Sequence, residues 1–194
     1  MLVSQNWLQD YVNLDGLDVK DIWNRFTLST AEVEDITRVG QDIKNVVVGR
    51  VEKVQPHPNS EKLTICQLDA GNGLIQTVCG APNIKEGLLV PFALEGGSIR
   101  NLDKVSKTTV QGIESFGIAC SPFELGISDS HEGVMVLEGD YAPGTDIKEI
   151  IDIDDIIIEI DNKSLTNRPD LWGHYGIARE LAAIFKRELA PLEI

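Results

Sequence analysis

Three short stretches carry most of the residues that could do chemistry. His57-Pro58-Asn59-Ser60-Glu61-Lys62-Leu63 sets a rigid turn between two apolar runs and places one lysine where the second run begins. Val78-Cys79-Gly80-Ala81-Pro82-Asn83 ends a run in small residues, which leaves backbone amides and the Asn83 side chain approachable. Gly112-Ile113-Glu114-Ser115-Phe116-Gly117-Ile118-Ala119-Cys120-Ser121 is a glycine-rich approach to another run, with Ser115 and Ser121 as hydrogen-bond donors. This is binding chemistry: small residues let another backbone come close, and the hydroxyl, amide and ammonium groups offer donors. The same residues serve equally well as tight corners of a small barrel.

Catalytic chemistry is harder to build. The sequence holds no Gly-x-x-x-x-Gly-Lys phosphate loop, no Gly-x-Gly-x-x-Gly, no His-Glu-x-x-His and no Gly-x-Ser-x-Gly. His57, His131 and His174 lie far apart, without ligand spacing to cysteine or carboxylate. His174 reads as a packing or capping residue that opens the last helix. Cys66, Cys79 and Cys120 form a sparse, odd set with no Cys-x-x-Cys pair, which fits a reducing cytosol better than a disulfide scaffold. Cys79 reads as a small core hydrophobe rather than a nucleophile. Between Asp152 and Asp161 the carboxylates alternate with isoleucines, as on a strand with one wet face rather than in a divalent-metal site. The expectation is no catalytic residue and no metal site.

Charge points away from tight nucleic-acid binding. Among 194 residues there are 17 Lys+Arg against 31 Asp+Glu, a net charge of −14, and no segment is basic overall. Phosphate neutralisation supplies most of the affinity of nucleic-acid binders, so an acidic chain has little of it to offer. Local cations do occur: Lys44, Arg50, Lys53 and Lys62 in one part of the sequence, Arg100, Lys104 and Lys107 in another. If each set converges, a few phosphate contacts and weak, salt-sensitive binding would follow. No apolar stretch approaches the ~18–20 residues of a membrane helix. Met1-Leu2-Val3-Ser4-Gln5-Asn6-Trp7 lacks the basic-then-apolar layout of a signal peptide, so the expectation is a cytoplasmic protein without a membrane partner.

The elements that must position these residues change period along the chain. Ser4 is placed to cap a helix carrying Trp7, Leu8, Tyr11 and Val12, and Asp15-Gly16 breaks it. Asp18 can cap a second helix, whose Val19, Ile22, Trp23 and Phe26 share one face. A strand is expected within Ala31–Val39. From Asn45 to about Leu137 short β-rich runs recur at Val46–Val54, Leu63–Leu68, Leu74–Val78, Leu88–Leu94 and Val134–Leu137. Such spacing predicts a small barrel or sandwich of OB type, with Gly49 at a bulge or kink. Beyond Pro143-Gly144, Thr145 is placed to cap a short helix through Ile151. Ile156–Ile160 reads as a strand, Asn162–Asp170 as a polar loop and Trp172–Lys186 as a helix.

In order and spacing, the three stretches resemble the tRNA-binding OB domain of free-standing tRNA-binding proteins and of several aminoacyl-tRNA synthetases. The first is similar to that family's His-Pro-x-x-x-Lys-Leu, and the second to its strand ending in Gly-Ala-x-Asn. The third is similar to its Gly-x-x-Ser-x-Gly-Met segment, followed here by Glu124-Leu125-Gly126. The flanks narrow the likeness. Val3-Ser4-Gln5-Asn6-Trp7-Leu8-Gln9-Asp10-Tyr11-Val12 resembles the N-terminus of bacterial phenylalanyl-tRNA synthetase β chains. Asn167-Arg168-Pro169-Asp170-Leu171 and Gly176-Ile177-Ala178-Arg179-Glu180-Leu181-Ala182-Ala183 resemble the stretch after the OB domain in the same family.

The resemblance implies an α+β fold, with an OB-fold β-barrel over residues 40–150 inserted into a small helix–strand domain made of residues 1–39 and 151–194. It implies that these residues are the front of a longer β subunit in an (αβ)₂ phenylalanine–tRNA ligase. ATP and magnesium then belong to the parent, and no cofactor to this segment. The candidate tRNA-contact residues are Lys44, Arg50 and Lys53, from their local charge, and Asn59, Ser60, Lys62, Asn83, Ser115 and Ser121, from the three stretches. The implied α-subunit interface is Arg168, Asp170, Trp172 and Arg179. Two features depart from the family pattern: Ile118 stands where the family has Met, and the barrel is acidic where free-standing tRNA binders need a basic face. The aromatic platform is thin as well, since Phe92 and Phe116 are the only aromatic residues within 40–120. The expectation is an accessory tRNA contact and assembly surface; the alternative is a purely structural docking module whose barrel no longer binds tRNA.

Overall fold

A computed structural model describes residues 1–192. In chain order the elements are β1 (Leu2–Ser4), α1 (Gln5–Gln9), α2 (Val19–Ser29), β2 (Val33–Val39), β3 (Lys44–Pro56), β4 (Thr64–Asp69), β5 (Leu74–Cys79), β6 (Leu89–Ser98), β7 (Thr108–Val110), β8 (Ile113–Ser115), β9 (Gly117–Ala119), β10 (Asp155–Ile160) and α3 (His174–Phe185). They fall into two compact units, one of residues 1–39 with the chain from Asp155 onward, the other of Gly40–Asp154. Residues 151–154 thus group with 40–150 rather than with the flanks. Ile153 is buried in that unit's core, and Asp154 pairs with Lys148 at 2.8 Å.

In the first unit the local signals act as the residues dictate. The Ser4 hydroxyl accepts the Trp7 amide at 3.0 Å, and the Asp18 carboxylate accepts the Asp21 amide at 3.1 Å, each satisfying a helix donor that has no partner within its helix. α1 stops at Gln9, shorter than its spacing suggested, because Val12 leaves the helix to bridge Leu189. Three antiparallel strands run in the order β1-β10-β2. β1 was not foreseen: three residues are too few to show a period. Trp23 and Phe26 of α2, Ile158 and Ile160 of β10, and Ile177 and Leu181 of α3 bury one core.

Two expectations are corrected here. The 162–170 stretch is not plain loop; it holds short 3₁₀ turns at Lys163–Leu165 and Pro169–Leu171, and Leu165 and Leu171 are buried. α3 starts at His174, so Trp172 lies ahead of the helix. Gly176 explains the tight join, since a Cβ there would sit 1.9 Å from the Asp170 carbonyl oxygen.

The second unit is a five-stranded antiparallel sheet in the order β5-β4-β3-β6-β9, with β7 and β8 forming a separate hairpin. β3 is 13 residues long and pairs with both β4 and β6, its register shifting between Lys44 and Val46 and again between Val51 and Lys53. Those irregularities curl the sheet. Gly49 is not itself a bulge. Its Cβ would lie 2.9 Å from Phe92 Cβ, so the glycine lets the Phe92 ring lie against the strand.

Val134–Leu137 is not a strand. Its amides alternate between partners, Met135 donating to the Cys120 carbonyl at 2.9 Å and Leu137 to the Leu89 carbonyl at 2.8 Å, so it forms no single ladder. The cap near 145 belongs to Asp146, whose carboxylate accepts the Lys148 amide at 2.9 Å; Thr145 instead donates its hydroxyl to the Ala142 carbonyl. The helix there shrinks to a 3₁₀ turn, Ile147–Glu149.

Candidate nucleic-acid interface

The fold brings the second and third stretches together around one cleft of about 410 Å³, and the first stretch adjoins it through the hairpin. Val78–Ala81 line one wall, Ser115, Gly117–Ala119 and Ser121 another, and Lys104, Ser106, Thr108, Glu124, His131 and Val134 complete it.

The first stretch holds the hairpin in place. His57, only 4 % exposed, accepts the Asn59 amide at Nδ1 (3.1 Å), which leaves Nε2 to donate to the Val110 carbonyl at 3.2 Å. Asn59 Nδ2 donates to the Gln111 carbonyl at 3.0 Å, so both side chains grip the hairpin tip. Ser60 accepts the Lys62 amide at 3.3 Å, and Lys62 is exposed beside them. Leu63, the next residue, lies 3.4 Å from where a Cβ on Gly80 would stand, which joins the first stretch to the second.

The second and third stretches are stitched across a seam that has no strand ladder. Phe116 N donates to the Gln76 carbonyl at 3.0 Å, and Gln76 Nε2 to the Glu114 carbonyl at 2.8 Å. Ser115, 5 % exposed, accepts the Val78 amide at 3.1 Å, and the Thr77 hydroxyl donates to the Gly117 carbonyl at 2.7 Å. Ser115 therefore replaces a missing ladder partner. Gly117 is required at the same place, because a Cβ would meet Phe92 Cζ at 2.3 Å and the Ala93 carbonyl oxygen at 2.7 Å.

Asn83 is similarly committed: Nδ2 donates to the Val134 carbonyl at 2.8 Å, and Oδ1 accepts the Val134 amide at 2.9 Å. Ser121 donates both its amide, at 2.7 Å, and its hydroxyl to Glu124 Oε2. Glu124, quoted from sequence only as following the third stretch, and Ser106, not singled out at all, are cleft residues to which the sequence assigned no role. The Ser121-x-x-Glu124 spacing, a capping pattern, was the available signal for the first.

The cations spread out. Lys44 and Lys53 sit near opposite ends of β3, on the order of 30 Å apart along the strand at about 3.3 Å per residue. Arg50 lies between them. Lys107 pairs with Glu114 at 2.5 Å and lies 4.9 Å from the Phe116 ring centre, and Arg100 pairs with Asp129 at 3.0 Å. Lys104 lines the cleft itself and has no ion pair among the described residues. Phe92 is fully buried, which leaves Phe116 as the half-exposed ring of this unit's pair.

Burial pushes the Cys79 thiol up, opposed by the Ala81 amide and reinforced by Cys66 and Glu124. Burial carries Cys120 to about 12, opposed by a backbone hydrogen bond with Ala93. Neither thiol is poised as a thiolate nucleophile. Among the described residues no group of three or more His, Cys, Asp or Glu side chains is arranged to hold a metal ion, and no helix is long and apolar enough to cross a membrane.

In the other unit, Arg168 holds Asp170 with Nε and Nη2, both at 3.0 Å, and reaches Glu180 at 2.9 Å; Arg179 joins Asp170 at 2.6 Å. The Arg168 hydrogen bonds, with the Arg179 charge adding to them, hold the Asp170 carboxyl down at about 2. Trp172 is 52 % exposed and donates Nε1 to the Leu165 carbonyl at 3.2 Å. Trp7, also 52 % exposed, stacks on His174 at 3.9 Å.

His174 Nε2 accepts the Ser4 amide at 3.0 Å, which only the neutral ring can do. Its pKa is lowered by burial, against the pull of Asp155. The folded state therefore prefers the neutral ring. That stability is complete above the ordinary value of 6.5 and declines as pH falls below it. Unfolding midpoints in urea should fall between about pH 7.5 and about pH 5.5 in the wild type and change less in His174→Gln; equal slopes would refute this role.

Residues 46–146 match the family described as putative tRNA binding domain, and the chain belongs to that family. Its curated relatives are β subunits of phenylalanine–tRNA ligases. The chain is 40 % identical over 190 residues to the subunit of Anaeromyxobacter dehalogenans (strain 2CP-C), covering 97 % of this chain and 23 % of that protein. To the Clostridium acetobutylicum subunit it is 41 % identical over 197 residues, covering all of this chain and 24 % of that one. To the Clostridium tetani subunit it is 43 % identical over 185 residues, covering 94 % of this chain and 23 % of that one. The chain thus spans about a quarter of the length of the curated relatives it matches.

Proposed function

We propose that this chain is the non-catalytic front portion of a cytoplasmic phenylalanine–tRNA ligase β subunit and makes an accessory contact to tRNA. Residues 40–154 form an OB-type barrel set between two flanking segments that share a core. One observation carries the reading: the second and third family-like stretches wall a single cleft, and the first grips the hairpin whose Thr108 and Val110 also line it. Lys104 in the cleft and Lys62 on the adjoining turn supply the phosphate contacts, with Asn59 and Ser60 beside Lys62. Ser115, Ser121 and Asn83 act by holding the walls. ATP and magnesium, implied for the parent enzyme, are assigned to no residue of this chain.

Two or three phosphate contacts imply an affinity for tRNA that falls roughly 10- to 40-fold between 50 and 200 mM salt. The Lys62→Ala, Lys104→Ala double variant should lower the slope of log affinity against log salt by about 2. Filter-binding titrations with unmodified tRNA check both numbers, and a double variant with the wild-type slope would overturn this assignment.

A second reading, docking against the α subunit in an (αβ)₂ assembly, is favoured by the ion-pair group of Arg168, Asp170, Arg179 and Glu180 beside the exposed Trp172. The net charge of −14 also favours it. Absence of tRNA binding at either salt would leave this as the chain's role.

A further inference from the structure

The cleft contains a carboxylate, which is the wrong group for a phosphate and the right one for a hydroxyl. Glu124 Oε2 is fixed by two donors from Ser121, while Oε1 has no hydrogen bond among the described residues. The side chain is therefore held in one orientation with an acceptor to spare. Ser106 and Thr108 line the same cleft, and neither hydroxyl makes a hydrogen bond among the described residues. The lining includes one ring, His131, already packed against Phe123 at 3.9 Å, so no free flat face is offered to a base.

We propose that the cleft takes the ribose of a nucleotide, with Glu124 accepting the hydrogen bond of its 2′-hydroxyl. This rests on the reading of the cleft as an RNA contact. A carboxylate repels a phosphate but accepts a hydroxyl strongly, and the 2′-hydroxyl is what separates RNA from DNA at a given site. Lys104 then meets the adjoining phosphate from the same cleft. An acidic chain thereby gains RNA affinity that does not depend on neutralising many phosphates.

Glu124→Gln is the decisive variant because it is nearly isosteric. The amide that replaces the carboxylate keeps one oxygen for Ser121 and presents an NH₂ donor in place of the spare acceptor. Fluorescence anisotropy would follow labelled tRNA transcript and DNA of the same sequence, for the wild type, Glu124→Gln and Ser106→Ala. The expected result is tighter wild-type binding to the RNA, about tenfold lower RNA affinity in Glu124→Gln at an unchanged salt slope, and no change for the DNA. Ser106→Ala, an exposed position, should lower RNA affinity a few-fold and keeps the test open if the Glu124→Gln variant folds poorly.

Equal or higher RNA affinity in Glu124→Gln would overturn the proposal, as would equal loss for RNA and DNA, which would place a base edge in the cleft. If the wild type binds no tRNA at all, the RNA-contact reading itself fails. That outcome is distinct from an unmoved variant of a binding protein.

Discussion

Gly117→Ala should cost the Gly40–Asp154 unit about 3 kcal/mol, at the upper end of what overpacking a core usually costs. The added Cβ meets Phe92 Cζ at 2.3 Å and the Ala93 carbonyl oxygen at 2.7 Å. The ring is fully buried and cannot swing into solvent, and the carbonyl belongs to β6, the strand paired with β9. Relief by backbone movement would pull Ser115 and Thr77 off the seam, so the cleft should loosen with the core. Phe92→Leu added to Gly117→Ala should recover part of the loss, because it removes one of the two clashes. Gly80→Ala is the control: its Cβ would meet Leu63 at an ordinary 3.4 Å and should cost little. Urea unfolding monitors all four proteins, and a Gly117→Ala midpoint equal to wild type would contradict the packing of the seam.

Gly176→Ala should be the most damaging single change in the other unit, with a loss of about 3 kcal/mol, or roughly 6–12 °C in the unfolding midpoint of a chain this size. A Cβ at this position would stand 1.9 Å from the Asp170 carbonyl oxygen and 3.1 Å from Leu171 Cα. Both obstacles are backbone. The 3₁₀ turn at Pro169–Leu171 must therefore move, carrying Asp170 away from Arg168 and Arg179 and lifting the buried Leu171. Arg168→Ala removes its own ion pairs to Asp170 and Glu180 without moving the turn and leaves Arg179–Asp170 in place; pairs this exposed contribute little, so its loss should be far smaller than that of Gly176→Ala. Calorimetry on the two variants separates packing from charge; similar losses would mean that the ion pairs matter as much as the glycine and would contradict the packing argument.

What the sequence showed and what it hid divide along the range of the interactions. Ser4, Asp18 and the Ile22–Trp23–Phe26 face were legible because a cap and a helical stripe are encoded within a few residues. β3 to β6 were legible for the same reason, as β-branched runs between turn residues. The β7–β8 hairpin was not: its two-residue turn is Gln111-Gly112, both at positive φ (47° and 91°), and glutamine is a weak marker for a position that Asn usually fills. The roles of Ser115, Asn83 and Ser121 were also out of reach. All three were chosen as donors to a ligand, yet their partners are Val78, Val134 and Glu124, and for Ser115 and Asn83 the partner lies 37 and 51 residues away in sequence. Residue type announced hydrogen-bonding capacity; only the fold decides who receives it. The convergence of the cations failed for a related reason, since Lys44 and Lys53 share one long strand and its length keeps them apart.

The central claim is that the cleft walled by Val78–Ala81 and Ser115–Ser121 is where tRNA touches this chain. Amide chemical-shift mapping of the labelled protein, titrated with tRNA at about 50 mM salt, tests it most directly. The account expects perturbations concentrated at residues 59–63, 78–81, 104–108, 115–121 and 131–134, fading as salt is raised to about 200 mM. Perturbations gathered instead on residues 1–39 and 155–192, or none at saturating tRNA, would contradict it.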